Sequence, residues 1–247
     1  MKQRTLSLTF AFLACQGALQ ADIVIPGANG TDGALNISQD TVIDLSQAPT
    51  GTWDQDNSAN AGKGVYDPEK WAVVFKYTGI NIAAGAKVTF KNNASRAPVV
   101  WLVSGDVTIA GTVDLSGESP VKPEFHLGQL PEPGPGGFRG GSSPQGGDVL
   151  WAAGFGPGGG QPSNDYRIQN PLNAAYGTIG GNTTNRYGNP SLIPLVGGSG
   201  GSGHPSGHSP GAGGAGGGAI LIATNNNIQL QSGCSLLSLG GSGIREQ

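Results

Sequence analysis

Two segments of the chain read as copies of one another, separated by a glycine-rich stretch from about Gly128 to Gly218. The first runs Val99-Val-Trp-Leu-Val-Ser-Gly-Asp-Val-Thr-Ile-Ala-Gly-Thr-Val-Asp-Leu-Ser-Gly117. The second runs Ala219-Ile-Leu-Ile-Ala-Thr-Asn-Asn-Asn-Ile-Gln-Leu-Gln-Ser-Gly-Cys-Ser-Leu-Leu-Ser-Leu-Gly-Gly241. Each is an apolar run, a polar turn, a short alternating strand, a glycine turn and another short strand. Alternation with a period of two gives such a strand one face to bury. One unit cannot bury that face alone, whereas stacking on a similar unit can. An earlier pair repeats the theme: Gly79-Ile-Asn-Ile-Ala-Ala-Gly85 resembles Gly105-Asp-Val-Thr-Ile-Ala-Gly111 at an offset of about 26 residues, within the periods of solenoids.

These patterns predict an all-β chain built as a short right-handed parallel β-helix (β-solenoid) with a long Gly-rich irregular insertion. An antiparallel β-sandwich is the alternative, since glycine-separated strands suit it too. The expected divisions are a signal peptide over 1–21, solenoid rungs over 22–116, an insertion lobe over 117–218 and a returning rung over 219–247. Val107, Ile109, Val113 and Leu115 are expected to stack on Ile228, Leu230, Leu237 and Leu239. The insertion carries Phe138, Trp151, Phe155, Tyr166, Tyr176 and Tyr187. Aromatics at that spacing argue for a lobe packed on the strands, not a solvated linker.

Export is legible at the N-terminus. Lys2 and Arg4 precede an apolar stretch from Leu6 to Ala14, and Ala18-Leu-Gln-Ala21 offers a cleavage point before Asp22. A lipoprotein reading of Leu13-Ala-Cys15, with Cys15 acylated, is the alternative. The location expected is therefore extracellular, cell-surface or periplasmic, with no transmembrane segment in the mature chain. After cleavage at Ala21 only Cys234 of the chain's 2 cysteines remains, so no internal disulfide is expected.

With 12% charged residues and a net charge of −3, the chain has no basic stripe, which excludes a nucleic-acid footprint. His204 and His208 stand four apart, but Pro205 and Gly207 exclude the helix that would aim both at one metal. Gly197-Gly-Ser-Gly-Gly201 and Gly198-Ser-Gly-Gly-Ser-Gly203 match nucleophile-elbow and dinucleotide patterns only because the region is Gly/Ser-rich. Asp54, Asp56 and Asp67 are weak calcium candidates, with Ala59 where a calcium loop needs its glycine. A polysaccharide-cleaving site would need converging carboxylates and a basic partner. Asp106, Asp114 and Glu118 with Arg96 and Lys87 are the residues that could supply one. Trp53, Trp71, Trp101 and Trp151 are candidate sugar platforms or core residues.

Three blocks carry a family resemblance: Tyr66-Asp-Pro-Glu-Lys-Trp-Ala-Val-Val-Phe, Arg96-Ala-Pro-Val-Val-Trp-Leu-Val-Ser-Gly-Asp-Val-Thr-Ile-Ala-Gly-Thr-Val, and Tyr187-Gly-Asn-Pro-Ser-Leu-Ile-Pro-Leu-Val-Gly-Gly-Ser-Gly-Gly followed by Gly-Gly-Ala-Ile-Leu-Ile-Ala. They resemble exported bacterial glycine-rich proteins with pectate-lyase-like parallel β-helix rungs. The resemblance transfers no catalytic residue. In that group the strand block after the insertion runs on, whereas this sequence stops at Ile244-Arg-Glu-Gln247. An open strand edge and an uncapped apolar end are therefore expected. The functional expectation is an exported structural or adhesive surface protein without a catalytic or cofactor site. The alternatives are a carbohydrate-binding or polysaccharide-cleaving protein and a calcium-stabilised surface module. Polysaccharide, other surface proteins, or self-association through the C-terminal edge are the expected partners.

Overall fold

A computed structural model describes residues 24–120, 130–141, 153–161, 173–177, 186–203 and 211–245. The signal segment 1–21, His126, Trp151, Tyr166, His204 and His208 lie outside them.

Thirteen strands and two three-residue 3-10 helices, Leu45–Gln47 and Ser58–Asn60, make up the regular structure of these residues. The first strands are β1 (Gly33–Ile37), β2 (Thr41–Asp44), β3 (Val65–Asp67), β4 (Ala72–Ile82), β5 (Lys87–Lys91) and β6 (Val99–Val103). Then come β7 (Val107–Ile109), β8 (Thr112–Asp114), β9 (Gly211–Ala212), β10 (Ile220–Thr224), β11 (Ile228–Leu230), β12 (Ser235–Leu237) and β13 (Ile244–Arg245). A seven-stranded sheet has the order β10-β6-β4-β7-β11, with β1 and β3 also paired to β4; a four-stranded sheet has the order β12-β8-β5-β2. Pairing within both is parallel except for β3 on β4.

The β-helix expectation is corrected here, and so is the sandwich. The strands lie in parallel sheets, one of them curled like a half-barrel, and not in a solenoid of equivalent rungs. The reason is β4. Its 11 residues run unbroken through Tyr77-Thr78-Gly79, where a solenoid would turn. Its first half pairs with β6 and its second half with β7. On its other edge β3 arrives antiparallel and β1 parallel. The sandwich fails because antiparallel hairpins do not build either large sheet.

The two copied segments are neighbours all the same. Ile220 opposes Val99, Ile228 opposes Val107 and Leu230 opposes Ile109, all in parallel pairs. The last strand is one residue out from expectation: Val113 meets Leu236, while Leu237 meets Asp114. The four residues Gln231 to Cys234 form a turn closed by Cys234 N–H donating to Gln231 O, which advances the register.

Apolar side chains from both sheets close one core. Val73, Phe75, Ile82, Val88, Trp101 and Ile109 are fully buried, each contributing roughly 1.5–3 kcal/mol. Phe75 stacks on Tyr77, and Tyr77 meets Trp101 edge-on at 6.1 Å. On the outer face of the larger sheet a smaller cluster of Ala72, Val74 and Leu102 is covered by Ile25, Ala28 and Trp53. This N-terminal strap ends on the last layer, where Ile25 N–H donates to Asn225 Oδ1 at 2.6 Å.

The glycine-rich lobe is more regular than expected. Phe138 and Gly141 donate to Gly198 O and Gly201 O, while Gly198 and Gly201 donate to Gly217 O and Gly214 O. Each ladder advances three residues per bond, the period of polyproline II and not of a β-strand. Gly134, Gly137 and Gly140 stand where added β-carbons would strike neighbouring backbone, so these chains approach one another as closely as glycine permits. Gly218 N–H donates to Leu115 O and Ala219 N–H to Pro135 O, which fastens the lobe to the strands.

Candidate functional site

Three places gather polar or exposed apolar groups. The first surrounds the loop from Gly51 to Gly64. Asp32, 5% exposed, accepts from Asn57 Nδ2 at 2.9 Å, Gly62 N at 3.0 Å and Lys76 N at 2.7 Å. Lys76 is buried and its ammonium donates to Gln55 O. Burial pushes that ammonium below its ordinary pKa, against the pull of Asp32, Asp56 and Asp54. Asp67 is also buried and accepts from the backbone N–H groups of Trp53, Glu69 and Lys70. Burial raises its pKa, but these three donors together hold it below the usual carboxylate range. Asp56 accepts from Ser58 N at 2.8 Å, and Asp54 is exposed. Asp56 and Asp67 are thus engaged by different backbone donors. Among the described residues no three His, Cys, Asp or Glu side chains gather as a metal site would require.

The second place joins the strands to the glycine lobe. Glu132 is ion-paired with Arg96, whose Nε lies 2.8 Å away and whose Nη2 donates at 3.3 Å, and it accepts from Arg139 Nη2 at 2.6 Å and Asn92 Nδ2 at 3.0 Å. Trp71 is stacked on Phe138, the neighbour of Arg139 in sequence, with ring centroids 6.3 Å apart, and its indole N–H donates to the O of Ser95, the neighbour of Arg96. Burial pushes Glu132 up, but Arg139, Asn92 and Arg96 outweigh it and hold the carboxyl below its ordinary value. A carboxylate held ionised in this way is a poor general acid near neutral pH. Sequence reasoning singled out Arg96 and missed Glu132 and Arg139. The latter two sit in Gly/Pro-rich sequence, where no periodicity marks them.

The other carboxylates do not converge. Asp114 pairs with Lys87 at 2.6 Å, Asp106 accepts from Asn227 N at 3.2 Å, and Glu118 accepts from Glu132 N at 3.2 Å. Burial raises Asp114, yet Lys87 and Ser116 bring it below the ordinary range. Trp101 is fully buried in the core, whereas Trp53 covers the small outer cluster.

The third place is the layer formed by β10, β11 and β12. It carries Leu221, Ile228, Leu230, Leu236 and Leu239, between 46% and 61% exposed. Their counterparts one strand inward, Val107, Ile109 and Val113, are fully buried. The difference is position: among the described residues no strand pairs with the far edges of β10, β11 and β12. From Ala219 to Gly243 there is no charged residue. Cys234 lies here too, half-buried and packed against the main core.

No helix among the described residues is long and apolar enough to cross a membrane. No protein-family model matches the chain, and no curated protein or solved structure matches it.

Proposed function

We propose that this is an exported structural or adhesive protein of the cell exterior, acting by non-covalent association and not by turnover. The exposed, charge-free apolar layer of β10 to β12 is the observation that carries this reading. Open edges and contiguous apolar surface of this kind favour association. The signal-like segment with Lys2, Arg4 and Leu6 to Ala14 supports export. The test has two arms. The purified chain is co-sedimented with cell-envelope material at low and high salt, and it is incubated with a panel of polysaccharides while reducing ends and unsaturated products are followed. Salt-resistant association without product is expected. Product release, or no association with any surface, overturns the reading.

A second reading, carbohydrate binding, is favoured by the Trp71–Phe138 stack, whose partners Phe138 and Ser95 adjoin Arg139 and Arg96 in sequence. Aromatic faces next to fixed charged donors suit an acidic sugar. Calorimetric titration with uronic-acid oligosaccharides separates it from the first. Binding that Arg139→Ala abolishes would favour it, and absence of heat at millimolar sugar would remove it.

A further inference from the structure

We propose that two copies of this chain join through β11, paired antiparallel about Gln229, to form a closed two-fold dimer. The inference rests on the associative reading above and names the partner of that same layer.

Hydrogen-bond parity sets the geometry. Val107 N–H donates to Asn227 O and Gln231 N–H donates to Ile109 O. Asn227, Gln229 and Gln231 therefore turn their backbone groups toward β7, and by the two-residue alternation of a strand Ile228 and Leu230 turn theirs to the open edge. In an antiparallel pair centred on Gln229, Ile228 of one copy opposes Leu230 of the other. Each such pair exchanges two bonds, so all four free backbone groups on each chain are satisfied. The side chains agree with this register. Ile228 and Leu230 continue the buried columns of Val107 and Ile109, while Gln229 continues the solvent column of Asn36, Asn81 and Thr108. Ile228 thus meets Leu230 on the core side and glutamine meets glutamine on the wet side. Because the layer holds no charged residue, a copy meets no like charge.

The opposite end of the sheet disfavours an open head-to-tail stack. There β3 is covered by the segment around Thr50: Tyr66 N–H donates to Pro49 O at 2.9 Å and Gly51 N–H to Tyr66 O at 3.0 Å. In a head-to-tail stack that segment would fall where β10 lies. A self-complementary patch closes as a dimer, whereas a heterologous one grows without limit.

The test uses the full chain with Cys15→Ser, Cys234→Ser and Gln229→Cys, oxidised under mild copper–phenanthroline. Directly opposed residues in a non-hydrogen-bonded antiparallel pair lie about 4.5 Å apart at Cα, a span that a disulfide bridges. A single disulfide-linked dimer is expected, reversed by reductant, while Asn81→Cys in the same background stays monomeric. Sedimentation equilibrium of the unaltered chain should show a monomer–dimer exchange whose dissociation constant rises at least tenfold with Leu230→Glu. A concentration-independent monomer overturns the proposal. So does a ladder of disulfide-linked oligomers from a chain that carries both Asn36→Cys and Gln229→Cys, which would report a head-to-tail stack. A monomer that still sediments with envelope material removes the dimer and leaves the associative function standing. A dimer that cleaves polysaccharide does the reverse.

Discussion

Replacing Gly137 by alanine tests whether the glycine lobe is a packed element. A β-carbon at this position would lie 2.7 Å from both Gly216 O and Gly217 O, and 3.0 Å from Gly134 O. All three are backbone atoms, which cannot rotate aside as a side chain does. They also belong to ladders fixed at both ends, through Gly134 N–H to Gly216 O and Gly218 N–H to Leu115 O. Overpacking typically costs about 1–3 kcal/mol, and rigid neighbours place this site near the top. Alanine recovers about 0.4–1 kcal/mol by restricting the unfolded chain. The net loss is about 2 kcal/mol, which in a chain of this size lowers Tm by roughly 4–8 °C. Gly177, with nothing within 4 Å of its added β-carbon, is the control, and Gly177→Ala should melt at or slightly above the native temperature. Differential scanning calorimetry reads both. A Gly137→Ala protein melting within about 1 °C of the parent, on the same size scaling, would refute the view that close backbone approach organises the lobe.

Acid should unfold the protein through its paired carboxylates. Hydrogen bonds from Lys91 and then Ser46 lower Asp44 to about 2, and Glu132 and Asp114 are lowered as well. Depressed folded-state pKa values mean that this stabilisation is present above the unfolded range near 4 and is lost as pH falls toward 2; a urea midpoint flat between pH 4 and 2 would contradict it. Asp67→Asn removes the charge that draws three backbone donors and should cost about 1–3 kcal/mol by chemical denaturation; an unchanged midpoint would show the Asp67 turns to be independent of it. Trp101 is fully buried, and among the described residues nothing accepts from its indole N–H. Trp101→Phe should therefore cost less than about 2 kcal/mol, the cavity being offset by relief of an unsatisfied donor, and a loss above about 4 kcal/mol would show that the nitrogen is satisfied.

The copied strand blocks were legible because inward positions recur every two residues whatever lies between them. Hence Ile228 and Leu230 could be set against Val107 and Ile109 across the whole insertion. The fold class was misread at one place. Tyr77-Thr78-Gly79 has the look of a turn, but pairing on both edges keeps β4 continuous through it, so tertiary contact overrode local propensity. Val65–Asp67 is too short to announce an antiparallel strand. The lobe's order was hidden because a three-residue ladder leaves no hydropathy pattern when most of its members are glycine. The charged clusters were hidden for another reason. Asp32 meets Lys76, and Arg96 meets Glu132, across long stretches of sequence, and such encounters leave no spacing rule.

The strap that ends on Asn225 bears on the order of folding. The Ile25 N–H donates to the side chain of Asn225, 200 residues away in sequence. The strap precedes β4, β6 and β10 along the chain. It cannot seat until β4, β6 and β10 have assembled beneath Ala28 and Trp53. Closing so distant a contact is entropically slow. The small cluster of Ala72, Val74 and Leu102 should thus stay open to solvent until late, and sealing it makes completion of the last layer the event that locks the first.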